Sequence, residues 1–307
     1  MPDDPVHTAP APPDSPPSVA DALRAYVELT KPGIATFVAI TAGASYFVAA
    51  TARPDLLRLL ETLVGTGIAT AGALALNQYV EREVDGRMKR TRSRPIPSGR
   101  MAPRRALAFA SLLLALGVAI LGVTVGFLPA ALTAVSAALY LGAYTPLKSR
   151  SYLATLVGAV PGAIPGLIGW SAATGGLEPG AWVLFGIYFL WQLPHVLALA
   201  WLLKEDYERV GFFLAPPTDP AGHRIARHMV YHSISLLFLS LVPTLLGLTG
   251  LVYLAGAAIL STGMLASAVA AAREMTPTRA RRVFRASLLY QPLLLLLLLV
   301  DTVPPPG

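Results

Sequence analysis

The 307 residues are 54% hydrophobic and only 13% charged, with a mean hydropathy of +0.59; this belongs to a polytopic membrane protein and excludes an ordinary soluble domain. The net charge of +7 would suit nucleic acid, but the bases sit in short segments between apolar runs, so no nucleic-acid surface is expected. The absence of cysteine excludes disulfides, thiolate metal ligands and thioether-linked haem.

Seven Pro and three Asp fall in the first twenty residues, with no basic start and no apolar core. Residues 1–20 therefore read as a disordered Pro-rich cytoplasmic tail, not a signal peptide. Nine apolar runs of bilayer-spanning length follow, at 33–51, 57–80, 106–124, 127–145, 152–172, 181–203, 229–248, 250–272 and 286–303. They make residues 21–303 one polytopic transmembrane domain and leave 304–307 as a short external tail. Pro129 and Pro179 mark span starts, and Gly247 and Gly250 bracket a very short turn. The expected fold class is an all-α integral membrane bundle.

Orientation follows from the bases. Of 24 Lys and Arg, 22 lie in the N-terminal tail and in the connections after the second, fourth, sixth and eighth spans, and only Arg53 and Arg58 lie on the other side. The positive-inside rule then places the N-terminus in the cytoplasm and the C-terminus outside.

The second span runs into Asn77-Gln-Tyr-Val-Glu81-Arg-Glu-Val-Asp85-Gly-Arg-Met-Lys89-Arg90-Thr-Arg92-Ser-Arg94-Pro95. At about 100° per residue, Asn77, Glu81 and Asp85 share one helical face. Two carboxylates and an amide suit a hard cation such as Mg²⁺, which binds through one or two carboxylates plus substrate phosphates. Lys89, Arg90 and Arg94 can hold the same phosphates. The plain alternative is an amphipathic helix end whose charges simply reach water.

Two further polar groups lie on the same predicted side. Tyr144-Thr-Pro-Leu-Lys148 forms a short turn after the fourth span, where Lys148 either contacts a phosphate or anchors the chain by the positive-inside rule. Trp191-Gln-Leu-Pro194-His195 precedes Lys204-Glu205-Asp206-Tyr207. His195 and Asp206 are eleven residues apart, almost three turns, so they share a face if one helix continues through both. Glu205 and Asp206 either face the first acidic cluster across a cavity or end a solvated helix. An ionisable group within a span is a functional candidate by default, although His195 also reads as a partner for a carbonyl freed by Pro194. His228 and His232 are one turn apart but have no third metal ligand.

Taken together, Asn77-x3-Glu81-x3-Asp85 with Met88 to Pro95, Tyr144 to Lys148, and Trp191 to His195 with Glu205-Asp206-Tyr207 resemble the UbiA-type intramembrane prenyltransferases. Within them they look most like the protohaem IX farnesyltransferase branch, the haem O synthases. The resemblance covers about residues 26 to 300. It implies a nine-span UbiA-type bundle with a cytoplasm-facing cavity in a bacterial inner membrane. It further implies a Mg²⁺-dependent diphosphate site between the two acidic motifs, with Asn77, Glu81, Asp85, Glu205 and Asp206 toward the metal. Lys89, Arg90, Arg94 and Lys148 would hold diphosphate, and His195 or Tyr144 would serve the acceptor side. The implied reaction transfers farnesyl from farnesyl diphosphate to a vinyl group of haem B, with addition of water, and a haem A synthase would be a partner. Glu81 stands where many members carry Asp, and the second acidic motif is shorter than the fuller aspartate-rich pattern. The rival readings are a prenyltransferase for a quinone precursor or other aromatic acceptor, and a transporter or haem-handling membrane protein. Against transport, the acids gather at one face instead of the midplane, and no persuasive inverted repeat is visible.

Overall fold

The computed structural model describes residues 18–50, 54–214 and 219–303. Most of the expected Pro-rich tail and the whole of 304–307 lie outside these residues. Within 18–20, Ser18 already caps α1 (Val19–Thr30), its hydroxyl oxygen accepting from the Asp21 amide at 3.1 Å. Lys31 ends α1 in the left-handed region at φ 47°, and Pro32 opens α2 (Pro32–Ala50). A proline at the first helical position suits its missing N–H, so the chain turns sharply here with Lys31 at the corner.

The spans are α2, α3 (Leu56–Val80), α5 (Pro103–Ile120) and α6 (Phe127–Ala138), then α8 (Ala154–Thr174), α9 (Pro179–Leu202), α11 (His223–Leu245), α12 (Leu251–Arg273) and α13 (Pro277–Val300). Short helices α4 (Arg82–Arg87), α7 (Thr145–Leu147) and α10 (Lys204–Arg209) lie between them. Wider π turns extend α5 over Leu121–Val125 and join α6 to α7 over Leu139–Tyr144. Among the described residues nine helices are long and apolar enough to cross a membrane. The largest boundary difference is in α13, which begins at Pro277 instead of 286. Its first turns carry Arg279, Arg281, Arg282 and Arg285, whose charge lowers the apolar signal without opposing the helix.

The bundle has two lobes. In one, α2 and α3 pack with α5, α6 and α8; in the other, α9 packs with α11 and α13, and α12 packs on those two. Contacts of α8 with α9 and of α2 with α13 join them. Lipid gives apolar side chains no gain from leaving it, so close backbone approach has to supply the packing. Accordingly, a Cβ at Gly169 would fall on the Ala42 carbonyl between α8 and α2, and one at Gly117 would fall on the Ala69 backbone between α5 and α3. Pro165 removes an amide that would have bonded to the Pro161 carbonyl; the Ser136 hydroxyl donates to that oxygen at 3.0 Å instead.

These contacts predict that Gly169→Ala lowers stability by about 1–3 kcal/mol, because the α2–α8 backbones must separate. Gly263→Ala, with open space at the Cβ, should stay within about 0.5 kcal/mol of the parent. Thermal unfolding of the two variants in one detergent compares them directly.

Candidate active site

The acidic stripe keeps its register across a helix break. Val80 ends α3 and Glu81 sits at φ −88°, ψ 6°, yet its amide still bonds to the Asn77 carbonyl at 2.9 Å and the Asp85 amide to the Glu81 carbonyl at 2.8 Å. Asn77, Glu81 and Asp85 therefore stay on one face through the junction into α4. They are 2%, 7% and 0% exposed, so a helix end dissolving into water does not describe them.

Their partners come from two directions. Lys148 donates to Glu81 Oε1 at 2.7 Å, and Arg94 donates to Asp85 Oδ2 at 2.5 Å. The Asn77 amide donates to Thr145 Oγ1 at 3.1 Å, and Thr145 in turn donates to the Tyr140 carbonyl at 2.8 Å. The π turn at the end of α6 widens the backbone just before Thr145 and Lys148, which meet α3 there; such bulges recur at functional sites. Lys148 also lies 4.5 Å from the centre of the Tyr144 ring. Burial opposes its charge, but Tyr144 and Glu81 more than offset burial and raise its pKa.

One atom remains over. Asp85 Oδ1 is buried without a hydrogen-bond partner among the described residues, and an unsatisfied carboxylate oxygen costs several kcal/mol unless something binds it (about 1–3 for a neutral group and more for a charged one). Asn77, Glu81 and Asp85 offer only oxygen donors, as a hard divalent cation requires. Among the described residues no three His, Cys, Asp or Glu side chains gather into a metal cage. Such a cation would therefore complete its shell with ligand phosphates and water, the usual habit of Mg²⁺.

The second acidic segment approaches the first through its loop. Met88 and Val84 pack against Tyr207, Val210 and Phe212, and the Phe213 amide donates to the Lys148 carbonyl at 2.7 Å. The carboxylates themselves are turned elsewhere: Glu205 is exposed and Asp206 pairs with Arg209 at 2.9 Å. His195 and Asp206 lie on two helices: α9 ends at Leu202 and α10 starts at Lys204, with Leu203 at φ −107°, ψ 16° between them, yet the Leu203 amide still bonds to the Leu199 carbonyl and the Tyr207 amide to the Leu203 carbonyl, both at 3.0 Å. Lys89 and Arg90 are exposed, and neither appears in an ion pair among the described residues.

A residue outside the sequence-based set completes the cationic end. Lys31 lies at the α1–α2 corner; burial above all, then Arg94, with Lys148 adding to it, lowers its pKa to about 8 against the pull of Asp85 and Glu81. In the sequence it counts only as one of two N-terminal bases. The signal that singles it out is its place directly before Pro32 at the start of the first apolar run.

From Lys31 and Tyr144 a cavity of about 720 Å³ runs between the lobes, past Phe37, Thr66 and Tyr140 to Trp191, His195 and Gln291. Its walls are mostly apolar with a few polar groups, as in small-molecule sites. His195 is not paired with a carbonyl freed by Pro194: its Nδ1 lies 2.8 Å from Ser287 Oγ on α13. Trp191 Nε1 donates to the Ser287 carbonyl at 2.7 Å. A charged, oxygen-rich end and a long greasy chamber are the two compartments that an amphiphilic diphosphate needs.

Known proteins share this sequence and fold. The UbiA prenyltransferase family model matches residues 37–291. A protoheme IX farnesyltransferase of Solibacter usitatus is 46% identical over 288 residues, covering 91% of this chain and 99% of the relative. One of Myxococcus xanthus is 39% identical over 95% of this chain and 98% of its own length. A solved UbiA homolog from Archaeoglobus fulgidus, bound to GPP and Mg²⁺, superposes with a TM-score of 0.62 at 13% identity, covering 89% of this chain and 99% of that one. A structure described as bearing on digeranylgeranylglyceryl phosphate synthase superposes with a TM-score of 0.75 at 19% identity, over 91% of this chain and 98% of its own. With a buried acid–base end, an apolar chamber and a family match across most of its length, the chain belongs to the UbiA prenyltransferase family.

Proposed function

We propose that the protein is a protohaem IX farnesyltransferase, converting haem B to haem O with farnesyl diphosphate as donor. The observation that carries the site assignment is the orphaned Asp85 Oδ1 beside two buried ion pairs, one of whose cations, Lys148, lies against the Tyr144 ring that lines the apolar chamber. The relatives named as protoheme IX farnesyltransferases support haem as the acceptor. A quinone-type aromatic acceptor would share the donor end and differ only in the chamber.

In this reading the diphosphate enters at the cationic end. Arg94, Lys148 and Lys31 move part of their charge from Asp85 and Glu81 to the phosphates, and Lys89 and Arg90 meet the outer oxygens. Asn77, Glu81 and Asp85 would hold Mg²⁺, which when bound neutralises charge on the leaving diphosphate. The allylic C–O bond breaks, diphosphate carries away the bonding pair, and the farnesyl cation forms inside walls that exclude water. The terminal carbon of a haem vinyl group supplies the electron pair for the new C–C bond. Water adds to the cation left on the other vinyl carbon and loses a proton, giving a hydroxyethylfarnesyl side chain. Tyr144, lining the chamber beside Lys148, is placed at the junction of donor and acceptor. Glu205 and Asp206 join only if their loop turns inward on binding. The cytoplasmic face of a bacterial inner membrane is the proposed setting, with residues 21–303 as the catalytic domain.

Three measurements test this reading. Purified protein with Mg²⁺, farnesyl diphosphate and haem B should release diphosphate and yield a haem heavier by one farnesyl group and one water; EDTA should stop the reaction and excess Mg²⁺ restore it. Asp85→Asn should cut turnover per folded molecule about 100-fold or more, and because it also leaves Arg94 without its partner the folded fraction is measured alongside. Near-normal turnover in that variant removes the site assignment, and prenylation of a quinone precursor with haem untouched removes the acceptor.

The second measurement is a pH profile. A lysine with its pKa lowered to about 8 is charged below that pH and neutral above it, so kcat/KM for the prenyl diphosphate should fall as pH rises through about 8. Lys31→Arg, which keeps its charge, should flatten that limb; an unchanged limb assigns it to another group. The third is topology: reporters fused after residues 100 and 150 should report cytoplasm, and one after 175 the opposite side. An external report at 100 contradicts the proposed orientation.

A further inference from the structure

His195 lines the chamber, and its ring is hydrogen-bonded on one side to α13. Ser287 Oγ lies 2.8 Å from His195 Nδ1 and 2.7 Å from the Phe284 carbonyl. With the Ser287 hydroxyl donating to the Phe284 carbonyl, its oxygen accepts from the imidazole; that arrangement places the ring proton on Nδ1 and leaves a lone pair on Nε2. Among the described residues Nε2 makes no hydrogen bond, and His195 lines the chamber.

The ring is also held in place. It stacks on Trp191 at 5.6 Å and on Phe284 at 4.8 Å between centroids, and Trp191 is itself tied to the Ser287 carbonyl. A neutral imidazole whose Nδ1–H is fixed by a neighbour and whose Nε2 faces a cavity is the usual arrangement of a histidine metal ligand. One turn further along α13, Gln291 also lines the chamber; it is 1% exposed, and its Oε1 is enclosed without a partner among the described residues.

We propose that His195 Nε2 ligates the iron of the haem acceptor, with Ser287 as the residue that positions the imidazole. Iron ligation fixes the macrocycle at one point, and the apolar chamber then limits which vinyl edge faces the cationic end. The inference rests on the haem farnesyltransferase reading.

The test uses the purified full-length protein loaded with ferrous haem B, with all histidines labelled with ¹⁵N. Resonance Raman spectra should show an iron–nitrogen stretch that shifts on labelling. His195→Ala should abolish it, and added unlabelled imidazole should restore a stretch without the isotope shift. Ser287→Ala should move the stretch and weaken haem binding about tenfold, as loss of an outer hydrogen bond to a ligating histidine does. An isotope-sensitive stretch that persists unchanged in His195→Ala overturns the proposal. If His195→Ala does not purify, the labelled parent and Ser287→Ala decide: no isotope-sensitive stretch, or one that Ser287→Ala leaves in place, is also fatal. Farnesylation of haem by the same parent sample separates the two readings. Product formed without histidine ligation removes only this inference; haem left unmodified with farnesyl diphosphate and Mg²⁺ removes the function and the ligation with it.

Discussion

Two carboxylates buried at the end of a lipid-facing bundle are the constraint around which the site is organised. Glu81 and Asp85 are tolerable there only because Lys148 and Arg94 reach them from other parts of the chain. Removing one partner from a buried ion pair leaves an uncompensated charge and costs about 3–5 kcal/mol. The α6–α7 turn and the 88–101 loop are therefore tied to the end of α3. Those ties define the charged end, and the apolar lobes leave the space behind it.

In the proposed function the same pairs are a latent binding site. Each cation holds an acid whose charge a divalent ion would satisfy better, and each would then turn toward phosphate. Asp85 Oδ1, without a hydrogen-bond partner among the described residues, is the atom on which that proposal rests. Stability and function compete at these residues, a common feature of active sites. In the chamber behind them the balance is reversed: the apolar walls have little charge to offset, and their value lies in keeping water from a carbocation.

The two ends meet through small residues. Close backbone contact at Gly169 and Gly117 fixes the first lobe, while hydrogen bonds from Trp191 and His195 to Ser287 connect α9 with α13 in the second. A rigid chamber matters because transfer requires the allylic carbon and the acceptor carbon to be held at bonding approach, and misplacement by about 1 Å can cost about a hundredfold in rate.

Much of this was legible in the residues themselves. Apolar run length sets the number of spans, because a helix must satisfy its own backbone in lipid. The four-residue spacing of Asn77, Glu81 and Asp85 places them on one face, since i to i+4 hydrogen bonding persists through the break at Glu81. What the sequence left open depends on contacts between distant segments. Lys148 was either an anchor or a site residue, and it lies 67 positions from Glu81, with which it pairs. Lys31 gains its character only from burial beside Arg94. The junction of α9 and α10 at Leu203 is one that no glycine or proline announces. Period and composition report what a helix does to its own neighbours; which charges face one another, and which atoms are left without a partner, was decided by packing in three dimensions.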